Sequence, residues 1–126
     1  MENLFVYGTL QFSQIVRRLT RKEFKTIPAT LLGYKRGMVK GCDYPAIFED
    51  FGSEVKGMLL ENVDDVSMQQ IIHFEGSEYE KIKVKVIACE ETTEAFTFIW
   101  KNDTKLLENV DWDKEKFERE SLKKYC

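Results

Sequence analysis

Tyr7-Gly8-Thr9-Leu10 follows directly on the apolar run Leu4-Phe5-Val6. A glycine at the end of a strand lets the backbone come close to a ligand. The N–H groups freed by the turn can then donate to a carboxylate or to an oxygen that is becoming anionic. The plainer account of the same residues is a turn at Gly8 with Tyr7 packed in the core. Further along, Glu75 stands between Phe74 and Gly76, where a glutamate is by default solvated. Tyr44, beside Pro45, and Tyr79 carry hydroxyls able to donate a hydrogen bond, although tyrosines in such settings more often serve packing. His73, the single histidine, lies two residues before Glu75. Helix neighbours at that spacing point to different faces, which assigns His73 to the surface or to packing.

The elements that must position these residues are legible in the hydrophobic pattern. Leu4-Phe5-Val6-Tyr7 reads as a buried first strand, stopped by Gly8. Ser13 is placed to cap a helix that carries Ile15, Val16 and Leu19 on one face and ends near Thr20. From Thr26 to Leu60, apolar stretches broken by glycine or acidic residues predict several short strands meeting in hairpins. Asn62 or Asp64 can cap a second helix with Val66, Met68, Ile71 and Ile72 at helical offsets, ending at Gly76 and so leaving Glu75 near its end. Lys81 to Val86 alternates with period two, and Phe96 to Trp100 repeats the signal, as long antiparallel strands do. Trp112, Phe117, Leu122 and Tyr125 among charged residues suit a final helix packed on the sheet.

Composition narrows the class of protein. A chain of 126 residues, 43% hydrophobic and 33% charged, is the size and make-up of one globular domain over residues 1–126. Its longest apolar runs fall well short of a membrane span, so no membrane is expected. The net charge of −3 argues against broad binding to a phosphate backbone, although Arg17, Arg18, Arg21 and Lys22 form a local basic cluster on the first helix; no nucleic acid is expected. Cys42, Cys89 and Cys126 are odd in number and widely spaced. That pattern suggests neither a disulfide framework nor a zinc site and fits a reducing compartment, the cytoplasm. Oligomeric state leaves no trace in the pattern.

Phe5-Val6-Tyr7-Gly8-Thr9-Leu10, Gly33-Tyr34, Tyr44-Pro45-Ala46-Ile47, Val55-Lys56-Gly57-Met58-Leu59 and Phe74-Glu75-Gly76, followed by Tyr79 and Lys81, occur in one order. Together they resemble the γ-glutamylcyclotransferase-like, avirulence-induced-gene-like family. The resemblance runs from Leu4 through the strand after Tyr79, and the stretch from Trp112 to Tyr125 is similar to the family's usual ending. It implies an α+β fold, a small distorted mixed or antiparallel β-barrel with flanking helices. It also implies an activity in which the α-amine of a γ-glutamyl group attacks its own side-chain carbonyl, giving 5-oxoproline and a free amine, with no metal or cofactor. Carried over to this chain, the resemblance makes Glu75 the general base and acid. The backbone donors of Tyr7, Gly8, Thr9 and Leu10 hold the γ-glutamyl group, and Tyr79 lines the cavity. A partly buried carboxyl at Glu75 would have its pKa raised by desolvation.

The chain departs from the family's pattern at two points. Relatives often carry an aspartate where this chain has Ile72, and an arginine where it has Lys81, which keeps the charge but loses the bidentate fork. These departures define an alternative reading, a small-molecule-binding or regulatory module of the same fold without turnover. A third reading makes the basic helix and the acidic, aromatic C-terminal stretch an interaction surface.

Overall fold

The computed structural model describes residues 1–125, so Cys126, one of the three cysteines counted above, lies outside the described residues. The first strand, β1 (Glu2–Val6), has no polar face after Asn3 because both of its faces are covered. Leu4 and Val6 point to one buried cluster, Phe5 and Tyr7 to another, as the two-residue period of a strand requires. Each such side chain, fully withdrawn from water, contributes about 1.5–3 kcal/mol.

β1 lies antiparallel to β3 (Pro45–Val63), with Leu4 opposite Leu60 and Val6 opposite Met58. On its other side it runs parallel to β5 (Glu91–Trp100), paired at Leu4 and Phe96. β5 pairs along its length with β4 (Tyr79–Ala88) in the long antiparallel ladder that the alternation predicts. β4 touches β2 (Thr26–Val39) at Thr30 and Ile87, and β2 returns to β3. The pairings therefore close on themselves through five strands, β3-β1-β5-β4-β2, with the two-residue β6 (Leu107–Glu108) attached to β2. This is the mixed α+β, barrel-like arrangement implied above. It is distorted because the β1–β5 and β2–β4 seams have one paired position each.

The expectation of several short strands between Thr26 and Leu60 is corrected. Two long strands occupy that stretch, paired from Thr26↔Leu60 to Met38↔Pro45, with a register shift between Leu32 and Tyr34. Glycine in a strand can mark a bulge as readily as an end. Here Gly33 and the acidic stretch around Asp50 bend the ladder without breaking it.

Two layers of core follow. Phe5, Leu31, Ile47, Val55, Leu59 and Val86 come from strands alone and fill the inside of the ring. Leu4, Val6 and Phe98 pack outward against the helices. Helix α1 (Ser13–Thr20) contributes Ile15 and Val16, α2 (Asp65–Glu75) contributes Met68 and Ile71, and α3 (Lys114–Glu120) contributes Phe117. Ser13 does not cap α1. A short 3₁₀ turn at Thr9–Gln11 feeds the chain in one residue earlier, so Phe12 takes the N-cap place and accepts from the Ile15 N–H at 3.1 Å. Asp64, rather than Asn62, caps α2, its carboxylate accepting from the Ser67 N–H at 3.2 Å.

The last predicted helix is real but shorter, with Leu122 and Tyr125 in a 3₁₀ segment after it. Three of the four residues of the basic cluster on and after α1 are engaged within the molecule. Arg17 pairs with Glu23, Lys22 with Asp64 at 3.1 Å, and Arg18 donates to the Tyr125 carbonyl at 2.9 Å. Among the described residues, no helix is long and apolar enough to cross a membrane.

Candidate active site

Where β1 ends, the chain turns at Tyr7 and Gly8 into the 3₁₀ turn, and a cavity of about 190 Å³ opens beside it. At ~30 Å³ per liquid water, that is roughly the room of six waters, the scale of a single amino-acid-sized group. Tyr7, Gly8, Thr9, Leu10, Glu75 and Tyr79, separated by up to 72 positions in the chain, all line it.

Gly8 is required here by close approach. A Cβ at this position would stand 2.7 Å and 2.9 Å from Cγ and Cδ of Pro45, the residue that opens β3. The carbonyls of Gly8 and Thr9 accept from the N–H groups of Gln11 and Phe12, at 3.0 and 3.2 Å. The N–H groups of Gly8, Thr9 and Leu10, as first donors of a helical turn, find no protein acceptor among the described residues. They form a set of uncommitted donors on the cavity wall.

Facing the same volume, Glu75 is the last residue of α2. The helix must stop there, because Gly76 takes φ 86° and ψ −177°, a conformation reserved in practice for glycine, and its N–H closes the last turn on the Ile72 carbonyl at 3.1 Å. The Glu75 carboxyl has no hydrogen bond or ion pair among the described residues. Burial raises its pKa from 4.5 to about 7. The residue is not sealed off completely, so the carboxyl is packed in a wall and open to the cavity.

The tyrosines divide into anchors and rim. The Tyr7 hydroxyl donates to the Phe98 carbonyl at 2.6 Å, and the Tyr79 hydroxyl to the Pro45 carbonyl at 2.8 Å. Burial first, then the charge of Glu75, holds both phenols well above their ordinary pKa. Their hydroxyl protons are committed to the scaffold, so what they offer a ligand is shape and an oxygen that can accept. Tyr44, which also lines the cavity, is raised to about 12, chiefly by the neighbouring Cys42 thiol and then by burial.

Sequence reasoning missed Glu78, Phe74, Pro45 and Tyr125, which also line the cavity. Glu78 left a faint signal, a second carboxylate in the same short stretch as Glu75. Tyr125 left none, because it is brought in by the chain's last turn, where its hydroxyl donates to Asp43 Oδ1 at 2.7 Å.

The two departures fall elsewhere. Lys81 Nζ donates to Glu2 Oε1 at 3.0 Å and lies 4.3 Å from the centre of the Phe96 ring, and Ile72 packs half-buried against the helix-side core. His73 is exposed and does not reach the cavity. No three His, Cys, Asp or Glu side chains stand together as a metal site among the described residues. Chemically, an ionisable carboxyl and free amide donors lining one small cavity can move a proton and hold an anionic oxygen at the same time.

The family described as "Gamma-glutamyl cyclotransferase, AIG2-like" matches residues 4–114. "AIG2-like protein B" of Arabidopsis thaliana is 30% identical over 129 residues, an alignment spanning 99% of this chain and 74% of that protein. A solution structure of an Arabidopsis thaliana protein superposes with a TM-score of 0.78 at 29% identity, covering 98% of this chain and 85% of that one. A structure named "Gamma-glutamyl cyclotransferase" superposes with a TM-score of 0.65 at 19% identity, covering 85% and 68%, a likeness of fold.

Proposed function

The chain belongs to the AIG2-like gamma-glutamyl cyclotransferase family, and from that premise we propose that it cyclises a small γ-glutamyl amine or peptide to 5-oxoproline. The α-ammonium gives a proton to Glu75, and the freed amine attacks the γ-carbonyl carbon. The carbonyl oxygen becomes anionic against the loop donors of residues 7–10. The bond to the leaving nitrogen then breaks as Glu75 returns the proton to that nitrogen. The second proton of the ring nitrogen passes through the same carboxylate to the released amine, so the products are 5-oxoproline with a neutral amide nitrogen and an ammonium, and the carboxyl ends as it began. Holding the α-carboxylate and the carbonyl together on one loop favours the folded substrate that closure of a five-membered ring needs. No metal or cofactor enters this scheme.

One observation carries the reading: an unpartnered carboxyl raised to about 7 shares a cavity wall with backbone amides that no protein group uses. The binding-only alternative drew its motive from Ile72 and Lys81, and neither residue lines the cavity. We assign the activity to one domain formed by residues 1–126 and acting in the cytoplasm, where the thiols of Cys42 and Cys89 stay free.

The test is incubation with γ-glutamyl-ε-lysine, γ-glutamyl dipeptides and simple γ-glutamyl amines, with 5-oxoproline quantified. Product from at least one, lost in Glu75→Gln, is the expected result. No product from any, or unchanged turnover in the variant, overturns the reading.

A further inference from the structure

Arg36 stands three residues before the end of β2 and reaches the Tyr7 carbonyl at the start of the loop with a side chain only 15% exposed. Four of its five guanidinium N–H groups are used. Nε and Nη2 donate to the two carboxylate oxygens of Asp111 at 2.7 and 3.2 Å, while Nη1 donates to the Tyr7 carbonyl at 2.8 Å and the Lys56 carbonyl at 3.2 Å. The face of the same group lies 5.8 Å from the centre of the Trp112 ring. Burial alone would raise the Asp111 carboxyl, yet its bonds from Arg36 hold it below the ordinary carboxylate range. Arg36 thus ties β2, β3, the start of the loop and the C-terminal stretch together at one point.

The Tyr7–Gly8 peptide is where this matters for the cavity. In a planar trans peptide the carbonyl and the following N–H point in opposite directions. Drawing the Tyr7 oxygen toward Arg36 therefore turns the Gly8 N–H away from Arg36, and that N–H has no protein acceptor in a residue that lines the cavity. A positive donor on the carbonyl also polarises the peptide, which strengthens the N–H as a donor at its other end. We propose that Arg36, oriented by Asp111, is a positioning residue that aims and polarises the Gly8 N–H toward the anionic oxygen of the substrate. The inference rests on the cyclotransferase reading and adds to it a control of the loop from behind. Lysine cannot stand in, since a single ammonium cannot bond both carboxylate oxygens and both carbonyls in this plane.

The experiment compares wild type, Arg36→Lys, Asp111→Asn and Val84→Ala, the last a ring-interior substitution away from the cavity that serves as a control for lost stability. In the ¹H–¹⁵N spectrum, the Gly8 nitrogen resonance moves upfield in Arg36→Lys and less so in Asp111→Asn, and stays in place in Val84→Ala. kcat/KM for 5-oxoproline release falls roughly tenfold or more in Arg36→Lys, while Val84→Ala stays within about twofold of wild type despite its lowered Tm. Should Arg36→Lys not fold, Asp111→Asn carries the comparison, because it leaves both carbonyl bonds in place and loosens only their orientation. An active wild type, together with a variant whose Gly8 resonance and kcat/KM match Val84→Ala, overturns the inference and leaves Arg36 a structural staple. If wild type releases no 5-oxoproline, the cyclotransferase reading fails by itself. Titration with glutamate then decides the inference: a Gly8 amide that responds in wild type and not in Arg36→Lys supports it, and an equal response overturns it.

Discussion

A carboxyl withdrawn from water and left unpaired is costly to ionise, and Glu75 illustrates both what that costs the fold and what it would offer to the proposed reaction. With its pKa raised from 4.5 to about 7, the folded protein holds a proton there that the unfolded chain releases. The native state therefore binds more protons between those two values, and stability falls as pH rises through that window. Below about 4.5 the penalty is absent, and above about 7 it is complete, at most on the order of 3 kcal/mol. Glu75→Gln removes the ionisation, so the variant is expected to melt above wild type at pH 8 and to converge with it near pH 4; equal melting curves at pH 8 would show that the carboxyl is solvated. Under the proposed cyclisation the catalytic consequence has the opposite sign. A base must be deprotonated to accept the substrate's ammonium proton, so kcat/KM is expected to rise with pH through an acid limb near 7. Glu75→Gln should lose that limb together with roughly 10²–10⁴-fold in rate, as read from 5-oxoproline release across a pH series.

A residue of this kind is held in place by the element that ends with it. Helix α2 runs from its Asp64 cap to Gly76, and the φ of 86° at Gly76 turns the chain out immediately after Glu75. Gly76→Ala has open space for its methyl group but not the backbone freedom, so the expected cost is about 1–3 kcal/mol, measured by urea unfolding, with a loss of turnover as the last helical turn loosens. An unchanged unfolding midpoint would mean that the turn relaxes elsewhere. The start and stop of α2 were readable because a cap and a terminal glycine act within a few residues of the chain. The same local logic found β1, the β4–β5 ladder and the end of α1. It misjudged β2 and β3, since whether a glycine ends a strand or bulges it is decided by the partner strand, not by the glycine's neighbours. It likewise misplaced the cap of α1, which depends on how the preceding 3₁₀ turn delivers the chain. Arg36 and Tyr125 left no signal because their partners lie 75 and 82 positions away, at Asp111 and Asp43. The loop of residues 7–10 and Glu75 were readable as an ordered set of motifs, while the walls around them came from contacts distant in sequence.

At the scale of the whole molecule, the cavity stands at the join between a strand ring and a helical layer, and the C-terminal stretch closes that join. Phe117 of α3 stacks on Phe12 at 5.3 Å and meets Tyr125 at 5.3 Å, and Tyr125 in turn meets Phe74, next to Glu75, at 6.3 Å. Trp112 donates its indole N–H to the Asp43 carbonyl at 3.1 Å, and the Tyr125 hydroxyl bonds the Asp43 carboxylate, so one residue before Tyr44 receives two ties from the tail. Burial first, then the bond to Asp43, keeps the Tyr125 phenol above its ordinary pKa, so this tie persists across the neutral range. The tail is therefore a wall of the cavity and a clamp on its rim, and its hold depends on a buried aromatic contact more than on exposed charge. Phe117→Ala removes the centre of that contact from a site 3% exposed, and the expected loss is about 3–5 kcal/mol in chemical unfolding. Because Phe117 does not itself line the cavity, its loss should act through Tyr125 and Phe74: KM for the γ-glutamyl substrate rises more than kcat falls, and the acid limb near pH 7 shifts toward 4.5 as water reaches Glu75. A variant that loses stability while keeping both KM and the position of that limb would show that the ring and α2 alone keep the carboxyl dry.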